Sequence, residues 1–164
     1  EPLAEFIDHL RGELVPGCKL RAHVTHLVPR PLRDPDAANE HIRAILSRIG
    51  PFEIHLNDIG IFTMSSVVYI TLTEGFRRMQ EIHEELNQGP AQYEEPYPYH
   101  PHVTLAQQIS PAQVPAVFEH AHYRWAEFGH RRAFLVDRAV FVQATNLQTW
   151  IDLEEHPLGT ALGR

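Results

Sequence analysis

The tripeptide His-Val-Thr occurs twice in this chain, at 23–25 and at 102–104, an offset of 79 residues. A second pair keeps that offset: Asp-x-x-x-Phe runs from Asp58 to Phe62 and again from Asp137 to Phe141. One shared tripeptide is within reach of chance in a chain of 164 residues; two matched pairs with the same order of elements around them are much harder to dismiss. Each His-Val-Thr lies in a stretch of strand character, followed by a loop, a helix opened by proline, and two further strand-like stretches. The chain therefore reads as two copies of a strand–helix–strand–strand unit in one domain, 1–164, whose lobes span approximately 15–75 and 95–160. Consecutive strands on short connections favour antiparallel pairing, which makes the fold class α+β.

Apolar spacing places four helices. Leu3, Phe6, Ile7, Leu10 and Leu14 recur at i, i+3, i+4 and i+7. Ala38, Ile42, Ile45, Leu46 and Ile49 do the same, with Asp34 as N-cap, Pro35 at the first helical position and Gly50 past the end. Phe76, Met79, Ile82, His83 and Leu86 form a third, stopped by Gly89-Pro90. Val114, Val117, Phe118 and Ala121 form a fourth, opened by Ser110-Pro111 with Gln113 in a capping box. Residues rich in β-branched and aromatic side chains predict strands at 20–28, 52–62, 67–73, 102–107, 133–142 and 148–154. Between 89 and 101, four prolines and three tyrosines predict a long loop.

Composition narrows the function classes. Fourteen basic residues against twenty-one acidic ones leave a net charge of −7, and no basic run exceeds Arg131-Arg132. Duplex nucleic acid is gripped by neutralising many phosphates, so this chain is a poor duplex binder; an RNA end or small nucleotide in a local pocket fits better. No apolar run approaches the roughly 18–20 residues that span a bilayer, and no signal-peptide pattern is present. The chain begins at Glu1 rather than Met, which leaves room for residues upstream. The one cysteine, Cys18, cannot form an internal disulfide, fits a reducing cytoplasm, and reads as a small apolar filler beside Gly17. Oligomeric state is not readable from these features.

The repeat carries chemistry as well as architecture. Residues i and i+2 of a strand share a face, so His23 and Thr25 are expected to point together, with Arg21 alongside if the strand is regular; His102 and Thr104 repeat the pattern. Two such units packed about a pseudo-twofold axis bring two imidazoles and two hydroxyls to one place. That set suits a phosphodiester. A neutral imidazole takes a proton from water or a ribose hydroxyl, and an imidazolium returns one to the departing oxygen, each transfer contributing about 10²–10⁴-fold. The threonine hydroxyls and Arg21 then hold the phosphate oxygens.

The motifs His23-Val24-Thr25 and His102-Val103-Thr104-Leu105 resemble the paired His-hydrophobic-Ser/Thr-hydrophobic motifs of the 2H phosphoesterase superfamily, the 2′-5′ RNA ligase and cyclic phosphodiesterase group. The stretch from Phe62 to Ser110 and the closing Trp150 to Gly159 are similar to its YjcG-like bacterial branch. The resemblance implies a bilobal fold of two pseudo-symmetric antiparallel sheets with flanking helices and an active-site cleft between the lobes. It implies His23 and His102 as the catalytic pair and Thr25 and Thr104 as phosphate binders. It further implies hydrolysis, or reversible ligation, of 2′,3′-cyclic or 2′-5′ phosphodiesters without a metal or other cofactor. Two departures stand out. His26 occupies a position that is apolar in the family, and is expected to face away from His23. Relatives carry a strand before their first helix, whereas this sequence starts with the helix.

Other residues have two readings each. Phe62, Tyr97 and Tyr99 can stack on a base or simply pack; Gln107 can reach a phosphate or sit exposed at a strand end; His100 shares the His102 face only if the strand begins before Pro101. Asp58 and Asp137 read as structural. Two rival functions remain open. His23-x-x-His26 and His100-x-His102 have the residue types of a metal site, though neither motif contains a carboxylate. A nucleotide- or RNA-end-binding module without turnover is the other.

Overall fold

The computed structural model describes residues 2–146 and 149–159. In chain order it contains α1 (Pro2–Leu14), α2 (Pro35–Leu46), β1 (Phe52–Phe62), β2 (Val67–Leu72), α3 (Phe76–Leu86), a 3-10 turn at Gly89–Ala91, β3 (His102–Ala106), α4 (Val114–Glu127), β4 (Ala133–Val136), β5 (Arg138–Asn146) and β6 (Thr149–Pro157). The fold is α+β, with a four-stranded sheet in the order β3-β2-β1-β4 and a β5-β6 hairpin. β2 runs antiparallel to both β1 and β3, and β5 antiparallel to β6. None of the described helices is long and apolar enough to cross a membrane.

The helices arise where the apolar spacing puts them, and their caps follow local chemistry. The Asp34 carboxylate accepts from the Ala37 N–H ahead of Pro35. The Gln113 side-chain oxygen reaches back to the N–H and hydroxyl of Ser110, half of the expected capping box, with α4 starting at the next residue. The predicted strand at 133–142 divides in two, because Asp137 gives its carbonyl to the Leu158 N–H at the junction of β4 and β5. The last predicted strand begins with Gln148, which lies outside the described residues; the remainder is β6.

The strand expected at 20–28 does not form; the backbone there is irregular. Two of its backbone groups are taken by side chains of α1. The Ala22 N–H donates to Asp8 Oδ1 at 2.5 Å, and Arg11 donates to the Arg21 carbonyl at 3.3 Å. The i, i+2 argument that grouped Arg21, His23 and Thr25 on one strand face therefore does not apply to the first motif.

Two compact units divide the chain. The first comprises Glu1–Thr25, His55–Thr73 and Pro101–Ala133. Its core includes Leu3, Ile7 and Leu10 of α1, Val68 and Ile70 of β2, Val103 of β3, and Ala121 and Trp125 of α4, all buried. Phe6 packs against Phe128 with ring centroids 4.6 Å apart, and Glu13 pairs with both Arg124 and His120, joining α1 to α4. The second unit comprises His26–Ile54, Glu74–His100 and Phe134–Arg164. There α2 packs on α3 and β6, burying Ile42, Ile45, Met79 and Ile82, while Asn39 bridges Glu154 and His156 of β6.

Candidate active site

All four residues of the repeated motif, His23, Thr25, His102 and Thr104, fall in the first unit. His102 opens β3, immediately after a fully buried Pro101. Cross-strand partners lie on one face of a sheet, and the register sets Thr71 opposite His102, Tyr69 opposite Thr104, and Gly60 opposite Tyr69. Gly60 and Phe62 of β1, Tyr69 and Thr71 of β2, and His102 and Thr104 of β3 thus line one face. The other face carries Ile59, Val68, Ile70 and Val103, which are buried.

On the first face the aromatic rings enclose His102. Phe62 stacks on Tyr69 with centroids 4.0 Å apart, and the His102 imidazole meets Phe62 edge-on at 4.9 Å and Tyr69 at 5.2 Å. Burial raises the Tyr69 phenol above its ordinary pKa, so it stays a neutral hydroxyl. Sequence reasoning gave Tyr69 no role in the site. Its alternation with Thr71 on β2, in register with the His-x-Thr of β3, was the available signal.

His23 reaches the site by a different route. Its Nδ1 lies 2.6 Å from the Arg21 carbonyl oxygen. A carbonyl only accepts, so Nδ1 carries the hydrogen and the neutral ring keeps its lone pair on Nε2. Burial lowers the His23 pKa below 6.5; the bond to Arg21 opposes this, while the positive charges of Arg11 and His102 reinforce it and Asp8 opposes it. His102 and His23 are therefore close enough to feel each other's charge. The arrangement offers one imidazole whose Nδ1–H is fixed and whose acceptor nitrogen is Nε2, a second imidazole on a sheet face, and the Thr104 hydroxyl two residues further along the same face. Such a set can move a proton on and off one substrate.

Arg11 and Asp8 were not singled out in the sequence. Arg11 had a signal: it sits at i+4 from Ile7 and i−3 from Leu14, a charge on the apolar stripe of α1, and it is only 2 % exposed. The Arg21 side chain is exposed, and its carbonyl is the part that meets His23. Thr25 follows His23 in the same irregular segment. Gln107 is half-buried just past the end of β3.

Tyr99, proposed from the sequence as a substrate contact, belongs to the second unit, where it stacks on His83 with centroids 3.9 Å apart and planes 5° from parallel. His100 packs edge-on against Phe76 in that unit, and Tyr97 is exposed. His26 also lies there; its carbonyl accepts from His83, and its own Nδ1 is buried without a hydrogen-bond partner. Among the described residues no three His, Cys, Asp or Glu side chains come together as a set able to hold a metal ion.

The same fold is present in known structures. The crystal structure of E. coli LigT in apo form superposes with a TM-score of 0.65 at 19% identity, covering 96% of this chain and 91% of LigT. LigT complexed with 3′-AMP gives 0.62 at 18% identity, over 95% and 91% of the two chains. A protein of Bacillus cytotoxicus that bears a phosphoesterase name is 25% identical over 140 residues, which is 84% of this chain and 78% of that one. A sequence model of the 2′-5′ RNA ligase superfamily matches residues 1–147, and on that match the chain belongs to this superfamily.

Proposed function

We propose that this protein is a phosphoesterase that opens 2′,3′-cyclic phosphodiesters of nucleotides or RNA ends by paired-histidine acid–base catalysis. The observation that carries the reading is the different setting of two imidazoles within one compact unit. His23 is half-buried, donates Nδ1–H to a backbone carbonyl and keeps Nε2 as an acceptor, while His102 stands on a sheet face beside Thr104.

The step follows from those atoms. Nε2 of His23 removes a proton from water as its oxygen attacks phosphorus. The bond from phosphorus to one ribose oxygen breaks, and His102 as imidazolium protonates that oxygen. The products are a phosphomonoester and a free ribose hydroxyl, and the two histidines end with their protons exchanged. Thr25 and Thr104 hydrogen-bond the non-bridging oxygens, where charge builds as phosphorus becomes five-coordinate. With a ribose 5′-hydroxyl in place of water as the nucleophile, the same transfers open the ring by breaking the bond from phosphorus to the 3′ oxygen and join two nucleotides by a 2′-5′ linkage. A nucleoside monophosphate bound to LigT, of the same fold, supports a ligand of this size. The net charge of −7 is consistent with an end or small fragment rather than duplex, and the single cysteine with work in the cytoplasm.

The test is turnover of the four 2′,3′-cyclic nucleotides, a cyclic-phosphate-ended oligonucleotide and a 2′-5′ dinucleotide, with and without EDTA, the product phosphate located by ³¹P NMR. Turnover that survives the chelator is expected. Loss of all turnover in EDTA indicates a metal hydrolase instead, and binding of these ligands without turnover indicates a non-catalytic module.

A further inference from the structure

His102 sits on a hydrogen-bonded strand, but His23 has no strand beneath it. What holds the 21–23 backbone is one turn of α1. Asp8 and Arg11, at i and i+3, bond to adjacent groups: the Asp8 carboxylate takes the Ala22 N–H, and the Arg11 guanidinium donates to the Arg21 carbonyl. That carbonyl is the one His23 Nδ1–H uses. One oxygen thus accepts from the helix on one side and from the imidazole on the other.

We propose that Asp8 and Arg11 are positioning residues of the reaction: they clamp the Arg21-Ala22 peptide, and through its carbonyl they fix the orientation and tautomer of the His23 ring. This rests on the assignment of His23 as the base under the proposed function.

Two observations distinguish the clamp from ordinary helix packing. Arg11 is 2 % exposed, and its Nε has no hydrogen-bond partner, so a guanidinium has been buried at a cost that its bond to the Arg21 carbonyl only partly offsets. Second, the two side chains carry opposite charges toward one imidazole. The groups facing His23 are Asp8 and Arg11 of α1 and His102 of β3; Arg11 and His102 oppose its protonation and Asp8 favours it. A merely structural role for the pair predicts a common loss of stability, not opposite effects on one ring.

The experiment compares the parent with Asp8→Asn, Asp8→Ala, Arg11→Met and His23→Ala, measuring kcat and KM against pH on a 2′,3′-cyclic nucleotide and titrating His23 by ¹H–¹³C NMR. Asp8→Asn keeps an acceptor for Ala22 and loses only the charge, so the His23 pKa should fall. Arg11→Met should raise it and move the acid limb of kcat/KM to higher pH. Asp8→Ala and Arg11→Met should lower kcat by about ten- to a hundredfold with little change in KM, as expected when a reacting group is misplaced but the substrate contacts remain. Asp8 is exposed, so its two variants carry the test even if Arg11→Met fails to fold. His23 titration and kcat at parental values in the Asp8 variants, with His23→Ala inactive, overturn the clamp alone. An active His23→Ala overturns the assignment of the base, whatever the α1 variants do to the ring's titration.

Discussion

The ring of Tyr69 lies over Gly60 on the adjacent strand so closely that a Cβ built on Gly60 would sit 2.7 Å from its Cζ and 2.9 Å from its hydroxyl oxygen. Tyr69 is sandwiched there by Phe62 and meets the edge of His102. Gly60→Ala is therefore expected to push the phenol outward and move His102 with it. Overpacking of this kind costs about 1–3 kcal/mol, while a small displacement of a reacting group costs up to about a hundredfold in rate. Thermal melts and steady-state kinetics on the same variant check this; parental kinetics would mean that the aromatic rings do not position His102.

His23→Ala and His102→Ala should each reduce kcat by about 10²–10⁴-fold with an unchanged circular dichroism spectrum. The pH profile of the parent should be bell-shaped, with limbs that belong to the coupled pair. Burial and the neighbouring cations lower the His23 pKa, so its Nε2 stays unprotonated to below pH 6.5 and the acid limb falls there. An acid limb above 6.5 would contradict His23 as the base.

Thr25→Val and Thr104→Val each remove one donor to the phosphate while keeping a β-branched shape. A hydrogen bond to a charged group is worth about 1.5–3 kcal/mol, so each should cost about ten- to a hundredfold in kcat/KM. Serine at either position should restore most of it.

His26 gives a stability prediction separate from the chemistry. Burial, with a smaller contribution from the charge of His83, lowers its pKa to about 4. The unfolded chain takes up that proton near 6.5 and the folded chain does not, so stability is full above 6.5 and declines as pH falls toward 4. At about 1.4 kcal/mol for each pH unit between those values, the loss is at most about 3.5 kcal/mol. Urea melts at pH 7 and pH 4.5 measure it, and His26→Gln should flatten the difference.

Arg30 organises residues 89–100, which lie inside the second unit. Its side chain is 4 % exposed and bonds to the Asn87 amide oxygen at 2.6 Å, to the Ala91 and Val28 carbonyls at 3.0 Å, and to Glu95. Removing one partner of a buried ion pair costs up to about 3–5 kcal/mol, because the other loses its counter-charge; here, among the described residues, Glu95 would keep only His83, 3.4 Å away. Arg30→Met should show that loss in urea, and adding Glu95→Gln should recover part of it.

The helices were legible because an apolar stripe and a cap are local signals, as Asp34 and Pro35 illustrate. The second motif was legible for a similar reason: β3 pairs with β2, so its alternation is the one a strand requires. The first motif looked the same in sequence and folds differently. Nothing within 20–28 reveals that the Ala22 N–H and the Arg21 carbonyl are taken by Asp8 and Arg11, fourteen and ten residues earlier. Periodicity also has no access to a change of partner, which is why β4 and β5 read as one strand across Asp137. Tyr99 was chosen for its residue type, and its stacking on His83 depends on a contact sixteen residues away.

The support beneath the two imidazoles is unequal, and this breaks a symmetry that the duplicated motif implies. One ring is bolted to a ladder whose neighbours share any load; the other hangs from a helix by two side chains. Random substitution should therefore reach the second ring from farther away, through residues that never approach a ligand. A lineage adjusting its working pH has its most accessible dial on α1.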